Sequence, residues 1–197
     1  MSAVLIAVDR VDAVLRRYEP GPEERRRVSG WSPEPARRHV AARGLLRELL
    51  GRGGLDPRSR IAAAPGGRPY LPDTPAAGIS LSHDGDTVAA AVVSGRDVGI
   101  DVQCPRPVAE AMLGRCCTPE ARARLAALSE EDRATEFAWI WTAQEACVKA
   151  EGTGLAGGPW RIPVGFRQPA GEWRGSAWTA LRGRYEVPVS VAVRDRD

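Results

Sequence analysis

Lysine is almost missing from this chain of 197 residues: Lys149 is the only one, and every other basic side chain is an arginine. Scarce lysine beside abundant Arg, Ala, Gly and Pro reads as a G+C-rich coding bias, so the arginine content says little about partners. A large excess of charge of one sign is missing too. The 28 basic residues meet 25 acidic ones for a net charge of +3, too balanced to imply nucleic acid, and no nucleic-acid motif is recognisable. No apolar run approaches the ~20 residues that cross a bilayer. The opening MSAVLIAVDRVD has no basic leader and meets Asp9 early, so a signal peptide is not expected and a cytoplasmic location is. Cys104, Cys116, Cys117 and Cys147 form no CxxC pair and no His spacing, which excludes a zinc ribbon or a disulfide framework and leaves reduced thiols. What remains, 43% hydrophobic and 27% charged residues, is the composition of a soluble globular protein with one sizeable core or two small halves.

The chain reads as strand, helix, sheet, then helix, helix, sheet. Val4–Val8 is a short apolar strand, and Arg10–Tyr18 a short helix broken by Pro20 and Gly21. The basic run EERRRVSGW (23–31) is a turn or short helix. Ser32 and Pro33 start a helix that runs to Leu50, before Gly51, Gly53 and Gly54. The Pro/Gly/Ala-rich stretch from Ile61 to Gly78 is expected to be a long loop without regular structure. Ile79–His83 and Thr87–Val93 flank an Asp-Gly turn, a strong hairpin signal, and Val98–Gln103 is expected to extend that hairpin into a three-stranded meander. Helices follow after Pro107, from Thr118 and from Ser129, and strands at 160–166, 176–181 and 185–193. The expected fold is α+β, with two halves, 1–97 and 98–197, meeting near Val98.

The longest helix carries the clearest chemistry. In WIWTAQEACVKAEGTGL (139–155), Trp141, Glu145 and Lys149 stand at i, i+4 and i+8 and form one stripe. An ion pair one turn apart is ordinary on a wet helix. A tryptophan beside it is not, and neither is the chain's one compact ammonium in a composition otherwise given to arginine. In the strand VGIDVQ (98–103), period two puts Val98, Ile100 and Val102 on one face and Gly99, Asp101 and Gln103 on the other. Asp is depleted in strands. Paired with Glu145, Asp101 becomes a candidate ligand for Mg2+, which takes hard oxygens and substrate phosphates, with Gln103 offering a neutral carbonyl oxygen. Ser82 and His83 are strand neighbours pointing to opposite faces, which rules out a Ser–His nucleophile pair. His83 beside an arginine loop suits a phosphate instead. In Gly66-Gly67-Arg68-Pro69 the glycines permit close backbone approach and Pro69 stiffens the presentation of Arg68.

Taken in order, GGRPYLPD (66–73), ISLSHDG (79–85), VGIDVQ (98–103) and WTAQEACVKAEGTGL (141–155) resemble the 4′-phosphopantetheinyl transferases of the surfactin-synthetase-activating type. The resemblance implies two pseudo-twofold-related α+β halves with coenzyme A in the cleft between them. It implies transfer of the 4′-phosphopantetheine arm to a serine of an apo acyl or peptidyl carrier protein, with release of adenosine 3′,5′-bisphosphate. It implies Mg2+, or Mn2+ in its place, on Asp101, Glu145 and Gln103, with Glu145 and Lys149 catalytic. Ser82, His83, Arg68 and Lys149 would contact the coenzyme, joined by Arg43 and by Arg25 and Arg26 of the EERRR run. Neither membrane nor nucleic acid is expected as a partner, and one chain is expected to suffice as a monomer. Two departures stand out. Gln103 occupies a position where the family commonly has a second acid, and Gln144 one where it has a lysine. A coenzyme- or carrier-binding module without turnover is the alternative reading.

Overall fold

The structure, a computed structural model, describes residues 3–196. Two antiparallel sheets organise it. Strand β1 (Leu5–Arg10) and the hairpin β4 (Ala77–Asp84) and β5 (Thr87–Ser94) form a three-stranded sheet in the order β1-β5-β4. Strands β6 (Arg96–Val102), β7 (Ala170–Trp173), β8 (Ser176–Ala180) and β9 (Val189–Asp195) form a second sheet in the order β6-β9-β8-β7.

Each sheet carries one long helix. Helix α3 (Pro33–Arg52) packs across β1, β4 and β5, and the last helix, α6 (Glu130–Glu151), packs across β6, β8 and β9. Short helices α1 (Val11–Leu15), α2 (Pro22–Arg27), α4 (Glu110–Cys116) and α5 (Pro119–Ala126) fill the connections. Alternation along the strands divides the apolar interior into three clusters. On β5, Val88, Ala90 and Val92 face α3, whereas Ala89, Ala91 and Val93 face the second sheet. On β6, Val98, Ile100 and Val102 join that middle cluster. Gly99 and Asp101 are thereby turned toward α6, as the period of two requires. Glycine is needed there: a Cβ on Gly99 would lie 2.0 Å from the Ala146 carbonyl oxygen, so only its absence lets α6 settle on the strand.

The helix ends follow their sequence signals unevenly. Thr118 accepts from the Ala121 amide and Ser129 from the Asp132 amide, and Gly152 closes α6 in the left-handed conformation at φ 75°. Ser32 sits at the start of α3 without a side-chain cap.

Four expectations fail. The third strand of the expected meander belongs to the other sheet: β6 pairs with β9, almost a hundred residues on, not with β5. Toward β4 it offers its amides to side chains instead, Ile100 N donating to Ser80 Oγ at 3.0 Å and Val102 N to Ser82 Oγ at 3.3 Å. The segment 61–78 is not all loop, because Ala62–Ala63 (β2) and Pro69–Tyr70 (β3) pair antiparallel. The run 160–166 is not a strand: Pro159 and Pro163 remove amide donors, and a 3-10 turn forms at Pro159–Arg161. The final strand starts only at Val189, after Pro188. All four cysteines are free thiols, and among the described residues no helix is long and apolar enough to cross a membrane.

Candidate active site

The Trp141–Glu145–Lys149 stripe is real. Between Glu136 and Ala150 these three are the only residues of α6 not fully buried. At its Lys149 end the stripe reaches both β6 and β4, and there the site assembles.

Asp101 is 6% exposed, and its Oδ1 accepts from Lys149 Nζ at 2.6 Å and from Ser82 Oγ at 2.8 Å. Lys149 Nζ also donates to Ser82 Oγ and to the Ile100 carbonyl, each at 3.1 Å, so its three protons are all engaged. Glu145 contrasts with this. Its Oε1 is buried with no hydrogen-bond partner, and burial, then the charge of Asp101, push its pKa up against the opposing pull of Lys149. Two carboxylates on facing elements, one with an orphaned buried oxygen, form the hard-oxygen donor set a divalent cation takes. Among the described residues no set of three His, Cys, Asp or Glu side chains converges.

Beside this pair lies a cavity of about 360 Å3, walled by residues from both sheets: Arg27, His39, Arg43, Gly67, Ser82, His83, Asp101 and Lys149. Arg27 ends α2. His39 and Arg43 stand four residues apart on one face of α3, Ser82 and His83 lie near the end of β4, and Gly67 turns between β2 and β3. The chemistry is lopsided. Three cations and two imidazoles face one carboxylate that Lys149 and Ser82 already hold. His39 registers the imbalance: burial, then Arg43, Arg27 and His83, lower its pKa to about 4, and its Nε2 is buried without a partner. His83 reaches solvent, yet the protein packed around it, then Arg38 and Lys149, lower its pKa too. Burial and Arg27 likewise disfavour the charged form of Arg43, which is 7% exposed. A cavity that strains its own cations in this way is built for an anion of high charge density.

The residues singled out from sequence therefore divide. Arg43, Ser82, His83, Asp101, Glu145 and Lys149 come together. Arg68 does not line this cavity. It pairs with Asp97 at 2.6 Å and lines a separate depression with Arg196, itself 2.9 Å from Asp97. Arg25 pairs with Glu19 at the surface and Arg26 is exposed; of that basic run, Arg27 is the one at the cavity. Gln103 does not line this cavity; it donates through Nε2 to the Cys104 carbonyl at 3.3 Å and lines an apolar groove with Phe137, Trp141 and Met112. Gln144 is fully buried and donates to the carbonyls of Cys116 at 2.7 Å and Ile162 at 2.8 Å, so it ties loops together behind the site. His39 escaped the sequence reading, although its spacing of four from Arg43 puts both on one helical face.

Comparison with known proteins fits this arrangement. Residues 97–183 match the family model of the 4′-phosphopantetheinyl transferase superfamily, a stretch that holds Asp101, Glu145 and Lys149. Among curated proteins, the chain is 34% identical over 133 residues to 4′-phosphopantetheinyl transferase HetI of Nostoc sp. (strain PCC 7120), covering 64% of this chain and 56% of that protein. It is 28% identical over 138 residues to 4′-phosphopantetheinyl transferase Sfp of Bacillus subtilis (strain 168), covering 68% of this chain and 61% of that one. The chain thus spans about three fifths of the length of these relatives. The acid pair and the single lysine fall within the matched residues, so over this stretch the chain is similar to the 4′-phosphopantetheinyl transferase superfamily and to its members HetI and Sfp.

Proposed function

We propose that this protein transfers the 4′-phosphopantetheine arm of coenzyme A to a serine hydroxyl of an apo acyl or peptidyl carrier protein, releasing adenosine 3′,5′-bisphosphate. The observation that carries this reading is the adjacency of a phosphate-seeking cavity (Arg27, His39, Arg43, His83) to Asp101, Glu145 and Lys149. Coenzyme A brings three phosphates, and a cationic cavity next to a carboxylate pair suits a bound pyrophosphate better than a neutral ligand.

In this reading Asp101 and Glu145 hold Mg2+ or Mn2+, which when bound neutralises charge on the pyrophosphate oxygens. The arginines and imidazoles grip the nucleotide phosphates and fix the reacting phosphorus against the incoming serine. Glu145 accepts the proton of the carrier serine as the serine oxygen bonds to phosphorus. The bond from that phosphorus to the bisphosphate oxygen breaks, and Lys149 meets the charge that develops there. Residues 1–97 supply the coenzyme contacts and residues 98–197 the carboxylates and the lysine, so one chain holds a complete site and acts as a monomer. Free thiols suit a cytoplasmic setting, where coenzyme A is also found.

The test is intact-mass spectrometry of a panel of apo carrier proteins incubated with the protein, coenzyme A and Mg2+. A gain of one phosphopantetheine, abolished by chelator and by Glu145→Ala, supports transfer. Coenzyme binding without any gain overturns it in favour of a binding module.

A further inference from the structure

Helix α2 is an oddity. Its sequence is PEERRR, five of its six residues are exposed, and the one buried side chain is a carboxylate, Glu24, at 4% exposure. A six-residue helix without an apolar face has nothing of its own to hold it against the protein. Glu24 supplies the attachment. Its Oε1 accepts from Arg47 Nε at 2.8 Å, and its Oε2 accepts from the Tyr18 hydroxyl and, at 3.1 Å, from the Gly21 amide that begins α2. Arg47, on α3, also donates through Nε to the Tyr18 hydroxyl at 3.0 Å and through Nη1 to the carbonyls of Pro57 and Ser59 at 2.5 and 3.2 Å. Tyr18 can reach this point only because residue 44 of α3 is glycine: a Cβ there would lie 2.5 Å from its ring.

The bonds from Tyr18 and Arg47 hold the buried carboxyl below its usual pKa against the opposing effect of burial, so it stays ionised. One helical turn after Glu24 comes Arg27, the residue of α2 that lines the cationic cavity.

We propose that Glu24, gripped by Arg47 and Tyr18, is a positioning residue that holds Arg27 over the anion cavity. The brace acts on coenzyme binding through Arg27 and has no part in the chemistry. This rests on the reading of the cavity as the coenzyme site.

The test is a double-mutant cycle on coenzyme A affinity and on steady-state transfer. Arg27→Ala should weaken coenzyme A about tenfold. Glu24→Gln, which keeps the shape and removes the charge, should weaken it by a similar factor, with the loss in KM and kcat changed less than about twofold. In the Glu24→Gln background Arg27→Ala should then cost less than about twofold, because an arginine no longer held there has little left to lose. Full additivity of the two changes would overturn the proposal, because Glu24 would then act on general stability alone. Should Glu24→Gln fail to fold, Tyr18→Phe, which removes a single hydroxyl from the brace, takes its place in the cycle with the same expected loss of coupling. Failure of the wild-type protein to bind coenzyme A would sink the proposed function itself. Binding with additive effects would sink only the brace.

Discussion

The ammonium of Lys149 lies 2.6 Å from Asp101 Oδ1, bridging α6 to β6, and the same ammonium holds Ser82 Oγ on β4. One side chain thus ties its own helix to two strands, one from each sheet. To meet a phosphate, Lys149 has to exchange one of these partners for it, which a flexible lysine stem allows and a planar guanidinium does not. Lys149→Ala should therefore lower kcat by about a hundredfold or more while coenzyme affinity falls much less. Lys149→Arg should rescue little. Single-turnover transfer beside equilibrium coenzyme binding measures the split, and a large loss of binding at unchanged turnover would refute the role.

Glu145 keeps a buried oxygen without a partner, and its carboxylate is disfavoured by burial and by Asp101. The sign follows. A carboxyl whose folded pKa lies above its unfolded value makes the fold less stable as pH rises through that window. Glu145→Gln should abolish transfer yet raise Tm at pH 7 by roughly 2–4 °C, the shift about 1 kcal/mol gives in a chain of this size. A Tm that falls, with no metal added, would mean that the carboxylate is satisfied after all.

That stripe on α6 was legible because helical period is local: residues 141, 145 and 149 share a face whatever the rest of the chain does. The Asp-Gly hairpin was legible for the same reason. The partner of β6 was not, since pairing Val98 with Val193 depends on closure of a segment of almost a hundred residues, which leaves no mark near either strand. The surroundings of Arg68 were not legible either: it sits in a motif with the right neighbours, yet its guanidinium pairs with Asp97, while Gln103 Nε2 turns to the carbonyl of its chain neighbour Cys104. His39 was missed because a lone histidine in a basic helix carries no signal until Arg27 and His83 are brought to it.

His39 makes stability depend on pH. Its folded pKa is about 4, against about 6.5 when unfolded. Above pH 6.5 both states are neutral there. As pH falls from 6.5 toward 4, the unfolded chain takes up a proton that the folded chain refuses, and stability drops. Urea midpoints at pH 7.5 and 5 should show that drop, and His39→Gln should reduce it. Part will remain, because His83 is shifted in the same direction. An equal drop in the variant would remove His39 as the cause.

Arg27 and Arg68 should behave oppositely. Arg27→Ala should weaken coenzyme A about tenfold and flatten the salt dependence of its binding, as loss of a phosphate contact does. Arg68→Ala should leave coenzyme affinity within about twofold and lower Tm by a few degrees, because it strips Asp97 of one of its two arginines. Isothermal titration and thermal melts on the two variants decide it, and the reverse pattern would return Arg68 to the coenzyme site.

The scarcity of lysine has a practical side. Since Lys149 is the one side-chain amine of the chain and is hydrogen-bonded to Asp101, reductive methylation with carbon-13 formaldehyde would install a single side-chain dimethylamine label in the heart of the site. Its NMR chemical shift would follow each ligand as it arrives, with no background from other lysines. By the same token, any amine coupling to a sensor chip that goes through a side chain would use the residue this protein can least spare.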